Sequence, residues 1–139
     1  LLHFPKNHPK YKAIQKYYQA HVESLTRFQD EKGFWHNVLD HPESRPEVSG
    51  TAIFTMAIVR GVREGWISRK KYGPIAQKGW DALTTQIEKD GTVHNICYGT
   101  MCSTDVKYYM DRPFYDNDTH GLFAVLFAAM ELSKMQNQK

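Results

Sequence analysis

The sequence predicts an all-α protein made of helical hairpin repeats arranged in two layers. Three observations carry this. Amphipathic helices alternate with helices that are apolar on every side. The turn after each amphipathic helix recurs at a fixed interval. Polar loops run directly into the apolar helices, as in Ser-Arg-Pro-Glu-Val-Ser-Gly-Thr at 44–51.

The first helix is predicted over residues 8–29. Tyr11, Ile14, Tyr18, Val22, Leu25 and Phe28 step by three and four and leave a single apolar stripe. The second, over 50–64, carries Ala52, Ile53, Phe54, Met56, Ala57, Ile58 and Val59. Hardly any polar face remains, so neighbours are expected nearly all round it. The third, over 74–88, is one-sided again through Ile75, Trp80, Leu83 and Ile87, with Pro74 suited to a first turn. The fourth, over 119–133, is apolar throughout, from Leu122 and Phe123 to Met130 and Leu132. An amphipathic helix meets water on one side, whereas an all-apolar helix has neighbours on both. Their alternation describes an outer and an inner layer.

The connections repeat too. Asp-Glu-Lys-Gly-Phe-Trp-His-Asn-Val at 30–38 is echoed by Glu-Lys-Asp-Gly-Thr-Val-His-Asn-Ile at 88–96. Gly33 matches Gly91, His36 matches His94 and Asn37 matches Asn95, each 58 residues apart. Each glycine fits the left-handed position that ends a helix. Phe34 to Leu39 and Thr92 to Tyr98 read as short extended segments. A repeated helix, extended loop and helix is the signature of a helical array. If the inner helices run side by side, their N-termini gather on one face. Free N–H groups and partial positive charge there suit an anionic or hydroxyl-rich ligand. Closing a ring from such pairs takes about six of them, about 350 residues, because stacked repeats cover one another's faces. Two pairs are present, so both inner helices are expected to leave open apolar flanks. The chain, which starts at Leu1, is expected to be part of a longer protein or to assemble with copies of itself.

Composition narrows the function classes. A chain of 139 residues, 41% hydrophobic and 24% charged, can build one domain with a core. A net charge of +3 is too weak and too scattered for a nucleic-acid face. The one basic run, Arg69-Lys70-Lys71, reads as a solvated helix start. No apolar run has the ~20 residues that span a bilayer. The spacing of Cys97 and Cys102 fits no zinc or redox motif, so both read as free thiols.

Certain residues carry a resemblance: Gly33-Phe34-Trp35, Leu39-Asp40, Ser44, Glu47-x-Ser49-Gly50-Thr51-Ala52 and Asp118-x-His120-Gly121. In this order, over most of 10–135, they resemble the C-terminal part of family 105 of the glycoside hydrolases. Those enzymes are unsaturated rhamnogalacturonyl hydrolases, related to the unsaturated glucuronyl hydrolases of family 88. The resemblance implies an (α/α)6 toroid, of which residues 1–139 would be a C-terminal fragment. It implies oligosaccharides left by pectin or glycosaminoglycan lyases, carrying a 4,5-unsaturated uronic acid at the non-reducing end. In that family an Asp protonates the C4=C5 bond of the enol ether and helps water add at C5. The hemiketal then opens and releases the sugar. The family's catalytic Asp, and the His and Trp/Arg group that bind the uronate, lie in the N-terminal half of the toroid, and no stretch here matches their motifs. The implied chain has no catalytic residue of its own and takes no cofactor or metal. Its partners are the unsaturated oligosaccharide and either the N-terminal part of the toroid or another copy packed on the apolar flanks. Neither nucleic acid nor membrane is implied. The compartment stays open between bacterial cytoplasm and periplasm.

The substrate-binding candidates are Trp35, Ser44, Glu47, Ser49, Arg112, Asp118 and His120. Each has a structural reading beside the functional one. Trp35 stacks on a sugar ring or plugs the gap between layers. Glu47, with Ser49 and Thr51, meets sugar hydroxyls or caps a helix. His120 faces substrate with an Asp orienting its ring, or belongs to a cap cluster. Arg112 lies in the longest loop, 97–117, beside Tyr108-Tyr109, and meets a carboxylate or is merely exposed. His36 and His94 recur with the repeat and so read as structural. Asp111, Asp116 and Asp118 form a weak hard-cation candidate. A non-catalytic saccharide- or protein-binding module is the second functional reading. A magnesium-dependent toroid enzyme using the acidic 111–118 loop, such as a terpene cyclase, is the third.

Overall fold

The structure, a computed structural model, describes residues 1–137. Helix α1 covers Tyr11–Leu25 and ends in a single 3-10 turn, Thr26–Phe28. Helix α2 covers Val48–Arg63, α3 covers Arg69–Thr84, and α5 covers Thr119–Gln136. Between α3 and α5 lie strand β1 (Ile96–Cys97), the short helix α4 (Val106–Met110) and strand β2 (Phe114–Tyr115). β1 and β2 pair antiparallel, Ile96 opposite Tyr115 and Cys97 opposite Phe114.

The layers are as the alternation predicts. Inner helix α2 is central, packed against outer helix α3 on one side and inner helix α5 on the other. One core cluster, around Val48, Ala52, Leu83, Ile96, Ala124 and Ala128, joins α2 to α5, α3 and β1. The other, around Val22, Trp35, Ile58, Val62, Ala76 and Leu132, joins α1 and α3 to the second half of α2. The Tyr18 hydroxyl of α1 donates to the carbonyl of Ala57 at 2.8 Å. Burial first, then the neighbouring Tyr72, pushes that phenol up to about 12, so it remains a donor.

Helix limits moved where caps outweigh apolar pattern. Helix α2 starts two residues early because Glu47, with extended backbone, caps it through the N–H groups of Ser49 and Gly50. Helix α3 starts at Arg69, not Pro74, because Ser68 accepts from the N–H of Lys71. The basic run is therefore a helix start, and Pro74 lies inside the helix at the loss of one backbone bond.

Helix α5 departs from the expectation of burial all round. Gly121, Ala124, Val125 and Ala128 are buried, while Phe123 (46%), Leu126 (59%), Phe127 (48%) and Met130 (52%) stand exposed. Small residues let α2 approach on one face, and the large apolar residues point the other way. Among the described residues nothing covers them. This is the open flank that two pairs of helices were expected to leave.

The repeated turn recurs in atomic detail. The N–H of Asp30 donates to the carbonyl of Phe34 at 2.9 Å, and that of Glu88 to Thr92 at 2.8 Å. The His36 ring meets Asp30 and the His94 ring meets Glu88, each at 3.0 Å. Gly33 (φ 100°) and Gly91 (φ 92°) both take the left-handed conformation. Their surroundings differ, however. A Cβ on Gly33 would stand 2.3 Å from the carbonyl oxygen of Lys78, whereas one on Gly91 would meet nothing within 4 Å. Gly91→Ala is therefore expected to cost only the left-handed penalty, about 1–2 kcal/mol. Gly33→Ala adds a backbone clash against α3, worth about 1–3 kcal/mol more. Urea unfolding of the two variants checks this, and equal losses would contradict it.

Candidate functional site

The N-termini of α2 and α5 lie side by side. A Cβ on Gly121 would come within 2.5 Å of Ser49 Cβ and 2.4 Å of Ile96 Cγ2, so only glycine allows this approach. The two ends are built alike. In each, an acidic N-cap accepts the N–H two residues on, and that residue's side chain donates back to the same carboxylate. In α2 the pair is Glu47 and Ser49: the Ser49 N–H reaches Glu47 Oε1 at 3.0 Å and its Oγ at 2.9 Å. In α5 it is Asp118 and His120: the His120 N–H reaches Asp118 Oδ1 at 2.9 Å and its Nδ1 at 2.8 Å. Each pair is followed by the glycine, Gly50 or Gly121, that the sequence motif carries.

Glu47 is buried and also accepts the N–H of Cys97 at 3.0 Å, which ties β1 to the mouth of α2. Its oxygens are occupied by these donors. The Asp118 carboxyl is held below its ordinary value by the backbone N–H of His120 and then by its ring. An ionised carboxylate only accepts, so Nδ1 of His120 carries the proton and Nε2 is left to the cleft. That ring is exposed, and Tyr98 stands edge-on to it at 5.9 Å. Tyr98, Gly99, Thr100, Met101 and His120 line an open cleft of about 390 Å³.

The predicted candidates therefore divide. Glu47, Ser49, Asp118 and His120 come together at the paired mouths, and Arg112 stands behind Gly99, to whose carbonyl its Nη2 donates. Trp35 and Ser44 do not join them. The Trp35 ring is 1% exposed and its Nε1–H donates to the carbonyl of Leu25 at 2.8 Å, so it plugs the layers and has no face for a sugar. Ser44 is buried; its Oγ donates toward the carbonyls of Val38 and His41 and accepts the Val38 N–H at 3.1 Å. It organises its own loop. Tyr98 and Gly99 were missed. Their only signal was an aromatic residue beside a glycine at the start of the longest loop.

The acidic loop does not gather. Asp111 pairs with Lys107 at 2.6 Å, Asp116 with His94 at 2.9 Å, and Asp118 caps α5. The hard-cation candidate is thereby dispersed, and no group of three potential metal ligands occurs among the described residues. Hydrogen bonds from Glu88 and then Asp116 push His94 up, which fastens the approach to α5 onto the turn after α3. The Cys97 thiol is pushed up by burial and then by Glu47, so it is a poor nucleophile. Both cysteines are free. No helix among the described residues is long and apolar enough to cross a membrane.

What the site can do is bind. It presents an imidazole nitrogen and an aromatic edge toward one cleft, while the N–H groups at the mouths of α2 and α5 are taken up by Glu47 and Asp118. Glu23, Asp30, Glu43, Asp90, Asp118 and Glu131 are held below their ordinary values, the direction opposite to that of a proton donor working near neutral pH.

Comparison with known proteins agrees with the resemblance. The sequence model of Glycosyl Hydrolase Family 88 matches residues 1–136. The unsaturated 3S-rhamnoglycuronyl hydrolase of Alteromonas sp. (strain LOR) is 32% identical over 130 residues, 92% of this chain and 30% of that protein. The unsaturated rhamnogalacturonyl hydrolase YesR of Bacillus subtilis (strain 168) is 32% identical over 107 residues, 77% of this chain and 29% of that protein. The chain thus spans about 30% of the length of these curated relatives. The crystal structure of a possible member of the GH105 family from Salmonella enterica subsp. enterica serovar Paratyphi A str. ATCC 9150 superposes with a TM-score of 0.89 at 27% identity, covering 99% of this chain and 35% of that one. Fold, motifs and relatives converge: the chain belongs to glycosyl hydrolase family 88, within the six-hairpin toroids that include family 105.

Proposed function

We propose that this chain forms part of the substrate cavity of an unsaturated uronyl hydrolase, as a C-terminal portion of the toroid. The substrate is a lyase-generated, pectin-type oligosaccharide ending in a 4,5-unsaturated uronic acid. Hydration of the enol ether begins with a proton from an Asp outside this chain. The observation that carries the reading is the pairing of the α2 and α5 mouths, with the free Nε2 of His120 between them and the Tyr98 edge. An imidazole nitrogen beside an aromatic ring suits sugar hydroxyls and the C–H surface of a sugar. The exposed apolar face of α5 supports covering by the remaining hairpins or by another copy.

The test uses the purified chain and an unsaturated uronyl disaccharide. Enol-ether absorbance is expected to persist, while titration calorimetry shows saturable binding that His120→Ala abolishes. Turnover by the chain alone would place the proton donor within it. Absence of any binding would remove the cavity-wall reading.

A further inference from the structure

Arg112 holds an uncommon position. Its guanidinium carbon lies 5.6 Å from the Tyr98 ring centre and 5.0 Å from that of Tyr108, while Nη2 donates to the carbonyl of Gly99. Its Nε is buried and has no partner among the described residues. A buried N–H without an acceptor is a cost, and a lysine or methionine here would avoid it. Being inaccessible, that N–H has no ligand to meet either. The planar, stacking fork of an arginine is what the position uses.

What the fork holds is the wall of the cleft. The segment from Tyr98 to Ser103 is tied back to α4 and the turn after it by three side chains. Arg112 reaches Gly99, Tyr108 Oη accepts the N–H of Met101 at 3.2 Å, and Tyr109 Oη accepts that of Ser103 at 2.8 Å. Tyr98 also donates its N–H to the Pro113 carbonyl at 2.9 Å, beside Arg112. Gly99, in turn, lies on the His120 imidazole: a Cβ there would stand 2.9 Å from Nε2 and 3.2 Å from Cε1. The ring is therefore fixed by Asp118 on one edge and by Tyr98 and Gly99 on the other. Only Asp118 belongs to its own helix.

We propose that Arg112 is a positioning residue, which presses the Tyr98-Gly99 backbone against the His120 imidazole and so fixes the direction of Nε2 in the cleft. This rests on the reading of that cleft as the saccharide site. It also replaces direct contact of Arg112 with a carboxylate.

The experiment uses the whole chain, Arg112→Met, Arg112→Lys and, as an independent route, Gly99→Ala, which displaces the ring without touching Arg112. Imidazole nitrogen and Cε1–H resonances of His120 report its tautomer and mobility; calorimetry with an unsaturated uronyl disaccharide reports binding. Arg112→Met is expected to mix the His120 tautomers and weaken binding about tenfold, the scale of one well-placed hydrogen bond. Gly99→Ala is expected to perturb the same resonances, and Arg112→Lys to restore part of both signals through one bond to Gly99. Weakened binding with unchanged His120 resonances would mean that Arg112 touches the ligand, and would overturn the proposal. So would His120 resonances and affinity that ignore every variant. Should Arg112→Met fail to fold, Gly99→Ala and Arg112→Lys decide the matter alone. Perturbed His120 resonances in a chain that binds no saccharide would uphold the positioning while removing the functional reading beneath it.

Discussion

Glu131→Ala is expected to remove about 3–5 kcal/mol of stability, because it leaves two arginines without their buried anion. Glu131 lies on α5 and is 2% exposed, yet charged. Arg60 of α2 meets it at 2.8 Å, and Arg63 at 3.0 Å. Burial alone would raise its carboxyl, but the hydrogen bonds from Arg60 and Arg63 outweigh that and hold it at about 2, against an ordinary 4.5. Lowering it that far corresponds to on the order of 3 kcal/mol favouring the ionised, folded form. The sign follows from the direction. A depressed carboxyl contributes fully above its unfolded value near 4.5, and the contribution fades as pH falls toward about 2. The urea midpoint of the wild type should therefore drop steeply between pH 4.5 and 2, and that of Glu131→Ala should drop less. Replacing all three residues together, Arg60→Met, Arg63→Met and Glu131→Leu, should recover most of the loss, since the charges that lose a partner, Glu64 and Lys134, both reach water. A Glu131→Ala chain as stable as the wild type at neutral pH would refute the network's role.

The consequence reaches the site. Glu131 stands eleven residues beyond His120 on the same helix, roughly 16 Å away at 1.5 Å per residue. It clamps the far ends of α2 and α5, while Gly121 and Ser49 touch at the near ends. Two contacts at opposite ends of a helix pair fix its crossing. Loosening the lower one should let the two mouths shift against each other, and saccharide affinity should fall along with stability.

Much of this was legible in the chain. The four long helices, the two layers and the 58-residue echo follow from periodicity and glycine position, because burial acts on side chains in a regular pattern. The mouths were legible as motifs, since an acidic cap must sit just before the helix it caps. Contacts made by a single atom between distant segments were not. Nothing in the pattern around Arg112 says that its fork lies between Tyr98 and Tyr108, and nothing around Glu131 announces two arginines some 70 positions earlier. Helix α4 escaped notice because five residues cannot show a period. Helix α5 was misjudged for a subtler reason. Hydrophobicity alone does not separate Ala124 and Ala128, which permit close packing with α2, from Phe123 and Phe127, which need some other neighbour. Side-chain volume separates them.

Trp35→Ala is the second large loss, about 3–5 kcal/mol. This residue ties its own turn to α1 and α2. Its indole N–H holds the carbonyl of Leu25 at the end of α1, its backbone N–H reaches Thr51 Oγ1 of α2 at 3.0 Å, and its carbonyl accepts the N–H of Glu47 at 2.9 Å. Its ring meets Phe54 edge-on at 5.6 Å. Truncation empties the space between the layers and leaves the Leu25 carbonyl without its donor. Domains of this size hold about 5–15 kcal/mol in all, so the variant should unfold at low urea or on mild warming. Trp35→Phe separates the ring from the N–H. It keeps most of the volume and loses one hydrogen bond, so about 1–2 kcal/mol is expected. Saccharide affinity of the folded Trp35→Phe chain should match the wild type, because no sugar reaches a ring that is 1% exposed. An unfolding midpoint that stays put while affinity collapses would return Trp35 to the binding surface and take the layer-plug assignment away.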